Sequence, residues 1–301
     1  MKAIGSALFV FVLVGVSGCQ THPTKTSLSE QRAFDLAKGA PPIVISPMTL
    51  IVDARPAFDY STAHVPRSIP ISWADYVEAK PAQRGIIQND TYGAARRLAR
   101  AGLAPDSQVV VIGAGLQGEG EEGRVAWMLA YLGLSNVQFA SLDSLKPRMT
   151  NEPESHPPKS ADVWKPKIVE SLDATRDEVL FAINKNASVT PASYKGSAAR
   201  LIKFIDVRSE RAYLGKEGIA ALKHVPNMEA INIPWKQFFT ANLRPNETTL
   251  KQLRAMGFSP TDRIIVLNDD GISSAAVTMA LRTYGFANAA NYSGGLQDLI
   301  P

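Results

Sequence analysis

Apolar residues fall in short bursts separated by polar, glycine- and proline-bearing turns. "LIV" before Asp53, "VVVI" before Gly113, "FI" before Asp206 and "IIVL" before Asn268 are continuous apolar runs of strand length. Runs of this kind, without in–out alternation, predict strands covered on both faces. Ala275 onward reads as a helix, entered through a short turn that carries Gly271, Ser273 and Ser274. A strand-to-helix turn points backbone N–H groups into one small concavity, which is a ready anion cradle.

The pattern is written twice. "LIVDARPAFDY" (50–60) matches "FIDVRSERAY" (204–213), and "HVPRSIPI" (64–71) matches "HVPNMEAINIP" (224–234). "LAPDSQVVVIG" (103–113) matches "FSPTDRIIVLN" (258–268), and "YLGLSNV" (131–137) matches "YGFANAA" (284–290). An offset of about 153 residues between the copies marks an internal duplication. Each copy reads as strand, loop, strand, helices, buried strand, turn, helix, strand. That order predicts an α/β fold in two tandem domains, each a mainly parallel sheet flanked by helices. The boundaries expected are 40–147 and 168–301. A proline- and charge-rich linker with little apolar surface to bury joins them over 148–167.

The N-terminus is of another kind. "ALFVFVLVGV" (7–16) is too short to span a bilayer but suits the apolar core of a signal peptide. Val16-Ser17-Gly18-Cys19 resembles the lipobox of bacterial lipoproteins, which implies a leader over 1–18 and acylation of Cys19. A polar tether, 19–39, follows. The expected partner is then a lipid membrane, reached through Cys19. Gln20 resembles the outer-membrane sorting pattern, which places the chain at the bacterial cell envelope, in the outer membrane facing the periplasm. Cys19 is the sole cysteine of 301 residues, so no internal disulfide and no cysteine-based metal site is available. The net charge of +4 is modest, and no basic run interleaved with aromatics argues for nucleic acid.

Taken together, the "DVR…Y…HVP…NIP" of the second half and the "DAR…Y…HVP" of the first resemble the tandem rhodanese family of thiosulfate and mercaptopyruvate sulfurtransferases. In that family the strand before the cradle ends in a catalytic Cys, in a turn of the form Cys-x-x-Gly-x-(Arg, Thr or Ser). Its thiolate carries sulfur as a persulfide, steadied by the amide nest. Here the segment is Asn268-Asp269-Asp270-Gly271-Ile272-Ser273-Ser274. The glycine and serine positions fit the pattern, but Asn268 stands where the thiol belongs. Asp269 and Asp270 bring negative charge to where anionic substrates would sit, and each like-charge contact costs on the order of 1–4 kcal/mol. The first half departs further, with "GAGLQGEGEEGR" running from Gly113 to Arg124.

The resemblance with its missing thiol implies a catalytically inactive rhodanese-like lipoprotein. It would serve as a binding or scaffold module for an envelope protein or a small anionic ligand, without cofactor or metal. The alternative is a sulfurtransferase-related enzyme using another group. A further rival is dinucleotide binding, from Gly113-x-Gly115-x-x-Gly118 after a strand. Against it, Glu119, Glu121 and Glu122 would face a pyrophosphate, and the acidic loop 118–123 reads as a solvated flap. Asp53/Arg55 and Asp206/Arg208 read as ion pairs that fix strand ends. His64 and His224 read as turn residues, and Trp73 and Trp235 as core or inter-domain packing.

Overall fold

A computed structural model describes residues 43, 45–79, 85–152, 159–184, 202–219, 222, 225 and 228–300. The leader 1–18, Cys19, the tether 19–39, His224 and residues 153–158 of the linker lie outside the described residues.

The first half runs β1 (Leu50–Asp53), α1 (Ala57–Thr62), β2 (Ile69–Pro70), α2 (Thr91–Arg100), β3 (Gln108–Gly113), α3 (Glu121–Leu132) and β4 (Asn136–Ser141). The second half runs α4 (Arg176–Ile183), β5 (Ile202–Asp206), α5 (Glu210–Tyr213), β6 (Ile231–Asn232), α6 (Glu247–Ala255), β7 (Arg263–Leu267), α7 (Ser273–Thr283) and β8 (Ala289–Asn291). Each half forms one four-stranded sheet, ordered β2-β1-β3-β4 and β6-β5-β7-β8, and every pair is parallel. The repeated pattern is therefore a repeated topology. Val109 to Ile112 and Ile264 to Leu267 are buried at every position, as their unbroken apolar runs require. Register then fixes the chemistry-bearing residues: Asp53 lies opposite Ile112, and Asp206 opposite Leu267. Asp206 thus stands level with the last residue of β7, and Asp53 one residue short of the end of β3, each just before a strand-to-helix turn.

The helices differ according to what covers them. α2 is amphipathic, buries Ala94, Ala95, Leu98 and Ala99, and is capped by Asp90, whose side chain accepts the Gly93 N–H at 2.7 Å. α3 and α7 are buried almost throughout, because they pack on each other between the two sheets. Gly123 of α3 sits so close to Ala276 of α7 that any Cβ at position 123 would overlap it. No helix among the described residues is long and apolar enough to cross a membrane.

The linker differs from expectation. Its described C-terminal part, together with Ile168 and Val169 that follow it, straps the first half: Ala161 N–H donates to Ala99 O (2.8 Å), Trp164 Nε1–H to Leu103 O (2.9 Å) and Val169 N–H to Tyr131 O (2.9 Å). Trp164, Ile168 and Val169 pack on the first core. These few apolar side chains, spaced among lysines and prolines, have the α2–α3 surface to bury against.

Candidate functional site

The strand-to-helix turns of both halves open toward a cleft of about 1110 Å³ between them. In the second half, Gly271 has φ of +77°, and a Cβ there would overlap the Ser293 carbonyl, so only glycine fits the turn. Two of the turn's N–H groups, those of Gly271 and Ile272, are taken by the protein's own side chains. Asn268 is 7 % exposed, and its Oδ1 accepts the Gly271 N–H at 2.6 Å. Its Nδ2 donates to Asp270 Oδ1 and Ser273 Oγ, each at 3.0 Å. Ser274 Oγ lies 2.8 Å from Asn268 Oδ1 and 2.6 Å from Asn291 Oδ1, and its single proton serves one of them at a time. Asn291 Nδ2 closes the ring by donating to Gly271 O at 3.0 Å. Asn268 therefore lies inside the cradle, saturated with partners, instead of projecting over it.

The two aspartates that follow have different lives. Asp270 turns back into the loop, where its Oδ1 also receives the Ile272 N–H at 3.3 Å. Asp269 faces Arg208 at 3.5 Å. Burial pushes the Asp269 carboxyl up from its ordinary range, and Arg208 opposes that rise. Arg208 is itself gripped by Asp206, at 2.6 Å between Nη2 and Oδ2, and Arg55 is gripped by Asp53 at 2.7 Å. Both aspartates are almost wholly buried, and Arg55 also donates to Ala63 O at 2.8 Å. These are the strand-end ion pairs that the sequence pattern predicts.

The first-half turn is built differently from expectation. β3 ends at Gly113, residues Gly115–Gln117 form a single 3-10 turn, and α3 starts only at Glu121. The helix thus begins three residues beyond Gly118, which does not fit the dinucleotide fingerprint. The acidic loop is not a solvated flap. Glu122 is fully buried, and its Oε1 accepts the Gly115 N–H at 2.9 Å while Oε2 has no hydrogen-bond partner. A Cβ at Gly113 would strike this carboxyl group. Burial raises the Glu122 carboxyl to about 7, with hydrogen bonds opposing and the neighbouring Glu121 and Asp53 charges assisting. Both turns are therefore closed by a side chain of the chain itself, a carboxamide in one half and a carboxyl in the other.

Arg124, at the end of the first-half loop, is also fully buried and reaches across to the other half. Its guanidinium stacks over the Trp127 ring at 4.5 Å and donates to Gly85 O and, at 3.3 Å, to Gly271 O. Desolvation lowers it to about 10, opposed by Asp173 and Asp270. Asp173 accepts from Ser293 N–H (3.1 Å) and Ser293 Oγ (2.9 Å), and burial raises its carboxyl to about 6. Glu122, Arg124's cross-domain contact and Asp173 escape sequence reasoning. A carboxylate locked between glycines, in "GEGEEGR", is the one signal that could point to a buried acid.

His64 lies away from the cleft, stacked on Tyr60 at 4.5 Å, and is structural. Trp73 and Trp235, equivalent in the repeat, are core residues whose edges line the cleft from opposite halves. Among the described residues no three His, Cys, Asp or Glu side chains group as metal ligands.

Residues 192–300 match the family model for the rhodanese-like domain. A search of curated proteins finds no match. Among solved structures, the chain is similar to SseA from Escherichia coli, described as a 3-mercaptopyruvate sulfurtransferase, with a TM-score of 0.64 and 19% identity over 87% of this chain and 97% of that one. It is similar to Tum1 from Saccharomyces cerevisiae, with a TM-score of 0.66 and 16% identity over 89% and 92% of the two chains. A probable thiosulfate sulfurtransferase gives a TM-score of 0.58 and 22% identity over 86% and 96%. At these identities the likeness is one of fold, and it covers both halves.

Proposed function

We propose that the protein is a rhodanese-like binding module that has given up sulfur transfer, carried at the bacterial envelope on an acylated Cys19 and facing the periplasm. The observation that carries the reading is the seat of Asn268. Persulfide chemistry needs a thiolate at the strand's end, exposed to a donor and stabilised by the turn's N–H groups. A carboxamide is not nucleophilic, and this one takes the Gly271 N–H for itself. The chain has one cysteine in all, at the opposite end of the sequence. The Asp206–Arg208 pair supports the architecture of the turn, so the scaffold of a sulfurtransferase is kept while its reactive position is filled.

The test is an assay of the full-length protein in detergent, for thiocyanate formed from thiosulfate and cyanide and for pyruvate released from mercaptopyruvate. The expected result is no turnover above the uncatalysed rate. Turnover that survives in the Cys19→Ser variant would overturn the reading and point to a sulfur-carrying group other than a thiol.

A further inference from the structure

We infer that the first-half turn, residues 113–120, is a proton-controlled gate on the inter-domain cleft, with the side chain of Glu122 as its bolt. Such a gate is independent of whether sulfur is transferred. The duplication supplies the contrast that reveals it. Each turn is closed by a side chain of the chain itself, but the Asn268 carboxamide does not titrate near neutral pH, whereas Glu122 is a carboxyl.

The closed turn requires that carboxyl to be neutral. Glu122 is fully buried and lies against Gly113, where a Cβ would strike its carboxyl. Oε1 accepts the Gly115 N–H at 2.9 Å, and Oε2 has no hydrogen-bond partner. A neutral Oε2–H forgoes one hydrogen bond there, while an ionised group would be a buried charge with a bare oxygen, which costs far more. The surroundings do not relieve it. Asp53 at the end of β1 and Glu121 beside it on α3 are acidic, and both oppose a further negative charge. Arg55 is clasped by Asp53, and the Arg124 guanidinium reaches away to Gly271. From the end of β4, Ser141 packs against Gly115, and Asp143 follows it, acidic again. No described residue forms a salt bridge with Glu122. Burial, assisted by Glu121 and Asp53, raises the carboxyl to about 7, so its proton leaves to water near neutral pH.

The segment is built to move when that happens. Gly115 at φ +65° and Gly120 at φ +91° bracket a single 3-10 turn, and glycine at both ends lets the backbone swing. α3 does not follow, because Gly123 is pressed against Ala276. The moving part is 114–119, which Leu116 ties to the edge of the second core and whose Glu119 lines the cleft. In the open state the ionised carboxyl turns to water, the Gly115 N–H loses its acceptor, and the cleft gains the amides of the turn.

The experiment is amide hydrogen exchange read by mass spectrometry on the full chain in detergent, from about pH 5.5 to about pH 8.5, with rates corrected for their intrinsic pH dependence. Protection of the 114–119 amides should fall at least about tenfold across this range, with a midpoint near 7. Amides of α3 should exchange at least about tenfold more slowly than the loop throughout, since the gate opens locally. Glu122→Gln keeps an acceptor for the Gly115 N–H and cannot ionise, so the loop's protection should stay level. Flat loop protection in the wild type, loop and α3 rates that coincide at about pH 8.5, or the same fall in the Gln variant would each overturn the gate. If the Gln variant does not fold, the wild-type midpoint and the separation of loop from α3 rates decide the matter alone.

Discussion

The Oδ1 atom of Asn268 lies 2.6 Å from the backbone nitrogen of Gly271, in the place where the turn's inward N–H would otherwise meet a sulfur or an anion. Removing the carboxamide should therefore do two things: free the N–H, and open the cavity floor between Ser273 and Ser274. Asn268→Cys alone is expected to give little sulfurtransferase activity, because the carboxylates of Asp269 and Asp270 stand beside the new thiol and raise its pKa. The triple change, with Asp269 and Asp270 each replaced by Gly, should give measurable thiocyanate release. Robust activity in the single variant would show that the aspartates do not block the site, and a folded but inert triple variant would show that the cradle has been lost.

Glu122 predicts an unusual pH dependence. Its folded pKa, about 7, lies above the ordinary value, so the folded state holds a proton that the unfolded state releases. The stability it contributes is full below the unfolded pKa near 4.5 and is lost as pH rises toward 7. Asp173, raised to about 6, adds the same sign over a lower window. Thermal stability should fall from about pH 5 to pH 7.5, with a loss from Glu122 on the order of 2–3 kcal/mol. Glu122→Gln keeps an acceptor for the Gly115 N–H and should flatten the upper part of the curve. A wild-type protein equally stable at both pH values would refute this.

The strap over the first half predicts a stability role for Trp164. Trp164→Ala removes a partly buried ring and its hydrogen bond to Leu103 O, and should cost about 1–3 kcal/mol in denaturant unfolding. Trp164→Phe keeps most of the packing and should lose about 1 kcal/mol. A midpoint unmoved by the alanine variant would mean that the strap adds nothing to stability.

The anchor is tested in cells. Cys19→Ser should abolish metabolic labelling by a fatty acid and leave the leader uncleaved by lipoprotein peptidase. Equal labelling of both proteins would remove the membrane from the proposed function.

What was legible in the chain follows from the range of the forces involved. Strands such as Ile264–Leu267 are legible because a strand covered on both faces must be apolar at each position, whatever the rest of the molecule does. The strand-end pairs Asp53–Arg55 and Asp206–Arg208 are legible because each is two residues apart and recurs in the repeat. The seat of Asn268 is not, since whether a side chain projects over a turn or folds into it depends on Ser274 and on Asn291 from a different strand. Glu122 is hidden for the opposite reason. In a string of glycines and glutamates it resembles its exposed neighbour Glu119, and only its fold-back onto Gly113 and Gly115 at the end of β3 takes it out of water.

The contact of Gly123 with Ala276 bears on how the molecule comes apart. Two helices held at that distance, with Arg124 joined to the carbonyl of Gly271, leave no lubricated seam along which the halves could separate before either melts. Calorimetry should then record one transition, and amides of α3 and α7 should exchange with solvent only through global opening, as a single cooperative unit. Either half produced alone would present a broad greasy flank where the other had been, and would behave as an aggregation-prone remnant more than as a smaller version of the whole.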